Sequence, residues 1–317
     1  MTILVCGEAL VDMFVREAPD GLKAELALGG SPFNVAIGLA RLGTEASFLG
    51  CLSRDVFGTA LRARLAAENV DLAYAIQSDR LSTLSVVSLE ATGHPAYAFH
   101  GEGKADRQVG IDDLPPVLGP EVTALVFGSY TLAVEPVASA QLALARREAG
   151  ARVVSLDPNL RPTVTPDLVA WRAQFAKFLP LATLVKASTE DLTIAFPGAD
   201  HRVLVESWFD RGVKLGIVTL GRDGAVAHRP GRPPLVVPGH PIDVVDTVGA
   251  GDSFHAALLA RLDQRRCLTP RALSSASDDL LNDALTYAVA AAAIACSRRG
   301  ADPPRHREVT AFAARQP

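Results

Sequence analysis

The sequence predicts an α/β protein whose central sheet is doubly wound and mostly parallel, with helices on both faces and a small additional β-sheet. Between residues 124 and 219, short apolar strand-like runs alternate with longer helix-like runs, and this order is typical of a parallel sheet covered by helices. Residues 84–99 instead alternate apolar and polar side chains around a turn that contains Gly93, which predicts an antiparallel hairpin. A length of 317 residues suits one large domain with a small insertion.

Composition argues against several classes of partner. The formal net charge is −4, and the chain has no stripe of basic and aromatic side chains that would bind nucleic acid. The most apolar run, 284–297, is too short to span a bilayer and predicts a buried helix. The N-terminus enters a strand without a charged leader, and the four cysteines are dispersed without metal-binding spacing. We therefore expect a cytoplasmic protein with no nucleic-acid or membrane partner.

The N-terminal part of the chain begins with a buried strand at 3–6, and Asp12 follows the carboxyl end of that strand. Ligands bind at this edge of open α/β sheets, although a surface turn also accounts for Asp12 taken alone. A helix then begins after Gly29-Gly30, where backbone can approach a ligand. Ser31 is predicted as the N-cap of this helix, and Asn34 lies in its first turn.

The remaining elements follow from apolar periodicity and turn residues. Strands are predicted at 46–49, 124–128, 152–156, 182–186, 214–219 and 225–228, with further strand-like residues at 235–237 and 242–245. Helices are predicted at 59–68, 134–149, 167–178, 189–196, 200–211, 255–262 and 280–297, with a polar loop at 269–279. Residues 13–27, as one strand, and 82–105 are predicted to form the small sheet. That sheet interrupts the β-α-β order, as a lid would.

The organising motif is Asp246–Phe254, with the sequence DTVGAGDSF. Its glycines lead into a helix, and a helix N-terminus attracts anions through its free N–H groups and its dipole. Gly249 and Gly251 let the backbone approach such a ligand. Asp252 is a carboxylate in an anion site, so it is either a cap of the helix or a base beside a charge-stabilising hole.

Several motifs converge on the carboxyl edge of the predicted sheet. Besides Asp12, Asn34 and the glycine-rich motif, the segment Asp157–Arg161 follows a strand there, although Asp-Pro is also ordinary turn chemistry. A base, an anion hole and a lid in one cleft together favour phosphoryl transfer from a nucleotide to a hydroxyl. The sequence has no Walker A motif.

These residues resemble the PfkB, or ribokinase-like, carbohydrate kinase family, and within it the fructokinases. The segments that carry the resemblance are Gly7–Asp12, Gly29–Gly43, Asp157–Pro162, Thr219–Gly221 and Asp246–Phe254. The resemblance spans nearly the whole chain and implies a single ribokinase-like domain over 1–317. It also implies ATP-dependent transfer of the γ-phosphoryl group to a sugar, with fructose the expected acceptor and fructose 6-phosphate the product.

The resemblance implies specific roles. Asp252 would be the general base, and the N–H groups of Gly249, Ala250 and Gly251 would form the anion hole. Sugar contacts would come from Asp12, Gly29, Gly30, Asn34 and Arg161. Nucleotide contacts would come from Ser188, Asp191, Thr219, Gly221, Gly224 and Asn282. The cofactors would be ATP and Mg²⁺, and Asp246, Val248 and Gly300 match the region where relatives respond to a monovalent cation such as K⁺. A homodimer through the lid is also implied.

Two departures from the family pattern and several alternatives stay open. Pro304 stands where a small polar residue often helps the cation site in relatives, which weakens the expectation of a monovalent cation. Ser188-x-x-Asp191 replaces an Asn-x-x-Glu that supports Mg²⁺ and phosphate in many members of the family, so metal support would differ here. A 2-keto-3-deoxygluconate kinase, a ribokinase, a nucleoside-type kinase and an aminoimidazole riboside kinase share much of the pattern. A non-catalytic sugar-binding relative would be expected to lack Asp252 or its glycines. A Rossmann dehydrogenase would need a GxGxxG after the first strand, which is missing.

Overall fold

A computed structural model describes residues 1–89 and 95–314. Its central element is an eight-stranded sheet. In spatial order the strands are β14 (Leu235–Val237), β13 (Ala225–His228), β12 (Leu215–Thr219), β11 (Leu184–Ser188), β10 (Val153–Asp157), β9 (Val122–Gly128), β1 (Thr2–Cys6) and β4 (Glu45–Leu49). All neighbours are parallel except β13 and β14, which add to the edge in antiparallel fashion. The predicted fold class is confirmed.

The strand order creates a switch point between β1 and β9. The chain first moves outward from β1 to β4, and then returns to pair β9 with the other side of β1. Loops at the carboxyl ends of the strands diverge at such a point and leave a crevice for ligands. The pairing register aligns the carboxyl ends of neighbouring strands, because the last residues of β10 and β9, Asp157 and Gly128, pair with each other, as do Ser188 and Thr219 at the ends of β11 and β12. The loops that follow β9, β10, β11 and β12 therefore open at the same edge.

Ten helices cover the sheet within the described residues: α1 (Ser31–Arg41), α2 (Val56–Ala67), α3 (Val137–Glu148), α4 (Leu168–Phe178), α5 (Thr189–Ala195), α6 (His201–Phe209), α7 (Ala250–Gln264), α8 (Pro270–Ser274), α9 (Asp278–Cys296) and α10 (His306–Ala313). The sheet separates two apolar clusters. In β1, Ile3 and Val5 belong to the cluster that contains α1, α7 and α9, whereas Leu4 and Cys6 belong to the cluster of α3, α4 and α6. This alternation explains why the strands are apolar throughout.

Helices α7 and α9 form the centre of the first cluster. Both helices are rich in alanine, and Ala256, Ala260, Ala284 and Ala288 are fully buried, so neighbouring backbones can approach closely. By length and composition alone, α9 is able to cross a membrane, with a mean hydropathy of 1.3. Its apolar residues pack in the core, which is typical of the central helix of a folded domain.

Some sequence predictions about these elements are wrong. Ser31 is the first residue of α1 and not its N-cap, because the cap position is Gly30 with φ 108°. Residues 242–245 are not a strand; Val244 and Val245 are 60% and 63% exposed and pair with no other strand in the described chain. The predicted loop at 269–279 contains α8, which Thr269 caps through the Ala272 N–H.

The small sheet has four strands, β3 (Gly21–Gly29), β2 (Leu10–Ala18), β7 (Leu84–Leu89) and β8 (Pro95–His100), in that spatial order. Residues 13–27 therefore form most of a β2–β3 hairpin and not the single predicted strand, with a turn at Pro19-Asp20. The predicted turn at 91–94 lies outside the described residues. Two further short strands, β5 (Cys51–Ser53) and β6 (Ile76–Ser78), pair with each other. Because β2 starts four residues after β1 ends, the small sheet continues directly from the ligand edge.

Candidate active site

The first turn of α7 begins at a glycine with a left-handed backbone. Gly249, the N-cap, has φ 74°, a conformation that favours glycine. A Cβ added there would lie 2.8 Å from the Ala301 Cβ and 3.0 Å from the Ala301 Cα, so no side chain fits. The Ala250 N–H already donates to the Thr247 carbonyl at 3.2 Å. The helix start still offers first-turn N–H groups and the positive end of the dipole to an anion.

Asp252 lies in this turn and is held by side chains from two other elements. Its Oδ1 accepts a hydrogen bond from the Ser31 hydroxyl at 2.6 Å, and its Oδ2 accepts one from the Asn34 Nδ2 at 2.8 Å. The Asn159 Nδ2, in the loop after β10, lies 3.4 Å from Oδ1. The side chain is only 7% exposed. Burial raises the pKa of Asp252, and the two hydrogen bonds from α1 partly oppose that rise.

These contacts decide between the two interpretations of Asp252. The cap of α7 is Gly249, and the hydrogen bonds of the Asp252 carboxylate go to α1 and to the loop after β10. The helix-cap interpretation is therefore wrong. A carboxylate with a raised pKa, fixed from both sides at a helix N-terminus, has the properties of a general base.

Ser31 was not predicted as a partner of this carboxylate. The signal was present, because residues three apart on a helix lie on the same face. Ser31 and Asn34 have this spacing in α1 and contact the two oxygens of the same carboxylate.

A buried ion pair lies beneath the same turn and was also missed. The Lys186 Nζ in β11 lies 2.7 Å from the Asp157 Oδ2 in β10, and their side chains are 4% and 3% exposed. Burial alone would lower the pKa of Lys186, but the neighbouring Asp157 carboxylate raises it, so the ammonium stays charged. A lysine within an apolar strand was the available signal, because lysine is rarely buried without a partner.

The sugar-side residues predicted from the sequence lie at the junction of β1, the small sheet and the loop after β10. Asp12 belongs to β2. The Asp12 carboxylate reaches Gly29, because a Cβ added to Gly29 would lie 2.8 Å from the Asp12 Oδ2. Burial raises the pKa of Asp12, whereas the Ser85 hydroxyl and the charge of Arg161 lower it. Arg161 is exposed and its charge reaches this carboxyl group. Asp12, Gly29 and Arg161 therefore share one region.

Glu8 is a second buried carboxyl group in that region. Its Oε1 accepts the Ser31 N–H at 3.3 Å, at the start of α1. Burial raises the pKa of Glu8 to about 7, and hydrogen bonding from the Ser129 hydroxyl limits the rise. Glu8 therefore ties β1 to the helix that carries Ser31 and Asn34.

The nucleotide-side predictions fall into two groups. Ser188 and Asp191 form a capping box at the start of α5, in which the Ser188 hydroxyl and the Asp191 carboxylate lie 2.8 Å apart. The Asp191 Oδ1 also accepts the Leu160 N–H at 2.9 Å, which fixes the loop that carries Arg161. Thr219 ends β12, and Gly221 follows it with φ 60°. These four residues lie at the ligand edge of the sheet.

Gly224 and Asn282 differ from that group. A Cβ on Gly224 would lie 2.1 Å from the Val237 carbonyl oxygen, so packing between neighbouring backbones is enough to require glycine there. Asn282 is exposed in the first turns of α9, next to Asp283. Asp283 pairs with Arg261 in the last turn of α7 and with Arg265 at the C-cap of that helix. The opposite end of α9 meets the motif, because the Cys296 carbonyl accepts the Val245 N–H. Fourteen residues of helix, about 21 Å, separate the two ends, so the structure places Asn282 away from the site.

Asp246, Val248 and Gly300 do come together beside the helix start. The Asp246 Oδ1 accepts the Val248 N–H at 3.0 Å, and its Oδ2 accepts the Gly300 N–H at 2.8 Å. Each carboxylate oxygen has lone pairs left for a cation. Among residues 1–89 and 95–314, no group of three or more His, Cys, Asp or Glu side chains could hold a metal ion.

Comparison with known proteins agrees with this geometry. The model of the pfkB family carbohydrate kinases matches residues 2–307. A fructokinase of Rhizobium leguminosarum bv. trifolii is 39% identical over 282 residues, which are 89% of this chain and 86% of the relative. The structure of fructokinase with bound ATP from Xylella fastidiosa superimposes with a TM-score of 0.90 at 26% identity, over 99% of this chain and 98% of the other. The fructokinase from Vibrio cholerae O395 in its fructose, ADP and calcium ion bound form gives a TM-score of 0.82 at 26% identity, over 98% of each chain.

The fold, the helix N-terminus with its fixed carboxylate and the match along nearly the whole sequence agree. The chain belongs to the PfkB family of carbohydrate kinases.

Proposed function

We propose that the protein transfers the γ-phosphoryl group of ATP to fructose and forms fructose 6-phosphate. The observation that carries this proposal is the Asp252 carboxylate at the start of α7, fixed by Ser31 and Asn34. The similar proteins named above, a fructokinase by sequence and two fructokinases by structure, support the choice of acceptor.

The chain's own groups account for the chemistry. Asp252 takes the proton of the attacking hydroxyl, and its raised pKa brings its basicity closer to what a general base needs near neutral pH. The first-turn N–H groups of α7 and its dipole stabilise the negative charge of the transferred group. The proposed donors here are Gly249 and Gly251, because the Ala250 N–H is engaged within its own turn.

Acceptor binding is proposed to involve Asp12, Gly29, Gly30, Asn34 and Arg161. The two Asp12 oxygens accept hydrogen bonds from sugar hydroxyls, and Arg161 donates. Asn34 holds Asp252 with its Nδ2, which leaves its carbonyl oxygen for a sugar hydroxyl. The small sheet is the proposed lid of a single kinase domain formed by residues 1–317. Closing it excludes water, which would otherwise accept the phosphoryl group.

The residues fit ATP with Mg²⁺ and leave room for K⁺. Mg²⁺ usually takes one or two carboxylates besides phosphate oxygens and water. Asp191 is the carboxylate that fits this role. Its Oδ2 accepts the Ser188 hydroxyl and its Oδ1 accepts the Leu160 N–H, and the lone pairs that remain would serve the ion or a water bound to it. A K⁺ ion would be held by Asp246 with backbone carbonyls around Val248 and Gly300. These ions would neutralise phosphate charge.

A substrate panel tests this function. Purified protein with ATP and Mg²⁺ is offered fructose, ribose, 2-keto-3-deoxygluconate, aminoimidazole riboside and adenosine, and kcat/KM is measured for each. We expect fructose to give the highest kcat/KM, with phosphate on its 6-hydroxyl as seen by ³¹P NMR. A higher kcat/KM for any other member of the panel would overturn the choice of fructose but keep the kinase. No transfer to any member would overturn the kinase proposal.

We also propose a cytoplasmic homodimer that forms through the small sheet. The supporting observation is that Leu22 and Leu26, on one face of β3, are 75% and 49% exposed, and an exposed apolar face favours association. Light scattering is expected to give twice the chain mass for the wild type and one chain mass for Leu22→Asp/Leu26→Asp. A monomeric wild type, or a double variant that stays dimeric, would contradict this interface. Cell fractionation tests the location.

A further inference from the structure

The Lys186–Asp157 pair lies directly under the turn that carries the proposed base. A Cβ added to Gly251 would lie 3.2 Å from the Lys186 Nζ, so the ammonium touches the underside of the first turn of α7. Lys186 is held there by the 2.7 Å contact with Asp157. The ammonium therefore adds positive charge beneath the helix N-terminus, and the Asp157 carboxylate beside it offsets part of that charge.

His255, one turn along α7 from Asp252, does not supply that charge. Its Nε2 and the Ser155 hydroxyl are 2.7 Å apart. Burial lowers the pKa of His255 to about 3, and the Lys186 charge adds to this effect, so the imidazole is neutral at physiological pH. The Asp157 Oδ1 is buried and has no hydrogen-bond partner in the described part of the chain. Asp157 therefore depends on Lys186 for compensation of its charge.

We propose that Lys186 is a positioning residue: its ammonium holds Asp157 under the first turn of α7 and strengthens the positive field in which Asp252 and the transferred phosphoryl group lie. This inference rests on the kinase function proposed above. Lys186 acts through Asp157 and the helix turn and need not touch the substrate.

The groups that face Asp252 come from each element packed around it. They are Ser31 and Asn34 from α1, Asp157 and Asn159 from β10 and its loop, Lys186 from β11 and the neutral His255 from α7 itself. Two of these are charged. The Asp157 carboxylate raises the pKa of Asp252, and the Lys186 ammonium lowers it to a smaller extent. Removing the Lys186 charge should therefore raise the pKa of Asp252, and removing the Asp157 charge should lower it.

The test compares Lys186→Met, Asp157→Asn and the double variant with the wild type. The acid limb of kcat/KM reports deprotonation of the base in the free enzyme. In Lys186→Met this limb should move to higher pH by roughly one unit, and kcat should fall on the order of tenfold as the positive field weakens. In Asp157→Asn the limb should move to lower pH. The double variant should lie between them.

The matched control is Glu148→Gln, which breaks the part-buried Glu148–Arg152 pair just before the opposite end of β10. It should lower Tm without moving the acid limb. If Lys186→Met and Asp157→Asn lower Tm in the same way and leave the acid limb unchanged, or shift it in the same direction, the pair is only structural and the inference fails.

A second readout separates failure of this inference from failure of the proposed function. ¹³C NMR follows the side-chain carboxyl resonance of Asp252, assigned by its loss in Asp252→Asn. Opposite pKa shifts in the two single variants support the inference even if no sugar is phosphorylated. Equal or absent shifts overturn it even if the wild type is an active kinase.

Discussion

Asp252→Asn is expected to lower kcat by roughly a thousandfold, because a positioned general base contributes on the order of 10²–10⁴ to a rate. The amide can keep its oxygen towards the Asn34 Nδ2, 2.8 Å away, and donate its NH2 group to the Ser31 hydroxyl, 2.6 Å away, because a hydroxyl accepts as well as donates. The site should therefore keep its shape. Sugar and ATP affinities, measured by calorimetry, should change little. A variant that keeps wild-type kcat would contradict the role of base.

The same substitution should leave the protein at least as stable as the wild type near neutral pH. Burial raises the pKa of Asp252, so the folded state holds this proton more tightly than the unfolded state. The free energy of unfolding therefore falls as the pH rises from the unfolded pKa to the folded pKa, and the loss persists above it. Asparagine does not ionise, so the variant does not lose this part of the free energy of unfolding at neutral pH. A Tm well below that of the wild type at pH 7 would contradict this argument.

Asp263→Asn is the matched control for both effects. Asp263 lies on the same helix, and burial raises its pKa as well. It is eleven residues from Asp252, at the far end of α7. Its substitution should therefore leave kcat unchanged and should not lower Tm. A large loss of kcat here would mean that any perturbation of α7 stops the reaction.

Gly249→Ala is expected to lower kcat on the order of a hundredfold, which is the effect of losing one anion-hole donor, and to destabilise the fold. The backbone there has φ 74°, which costs an L-residue about 1–2 kcal/mol. The new methyl group would also lie 2.8 Å from the Ala301 Cβ, and overpacking costs about 1–3 kcal/mol. The helix start and the 301 loop must then separate, which displaces the N–H groups at the site.

Gly198→Ala separates the backbone cost from the packing cost. Gly198 has φ 76°, and a Cβ there meets nothing within 4 Å. This control should lose only the backbone part of the stability in urea unfolding and should keep the wild-type kcat. If both variants behave alike in stability and in kcat, the close approach of Gly249 to Ala301 has no role in the activity.

Much of the fold could be predicted because the signals are local. A parallel sheet buried on both faces requires continuous apolar strands, such as Thr2–Cys6, and helices between them require apolar faces with caps. The strand-like residues at 242–245 misled the prediction because β-branched side chains favour extended backbone whether or not a neighbouring strand is available. Val244 and Val245 have no neighbouring strand in the described chain and are exposed.

The site was only partly predictable because its geometry depends on long-range packing. The glycines and Asp252 predict a helix start that carries a carboxylate. The orientation of that carboxylate depends on Ser31, which is 221 residues away in the sequence. The Lys186–Asp157 pair links two strands in the same way. Asn282 was misplaced because a position on a nineteen-residue helix does not show which end of that helix meets the site. The hydrogen bond between Cys296 and Val245 identifies that end.

The most direct test of this account follows the label from [γ-³²P]ATP in the wild type and in Asp252→Asn, side by side, with Mg²⁺ and fructose. We expect labelled fructose 6-phosphate from the wild type and roughly a thousandfold slower labelling by the variant, with both proteins folded and binding ATP. Equal rates from the two proteins, or a wild type that does not label fructose, would contradict it.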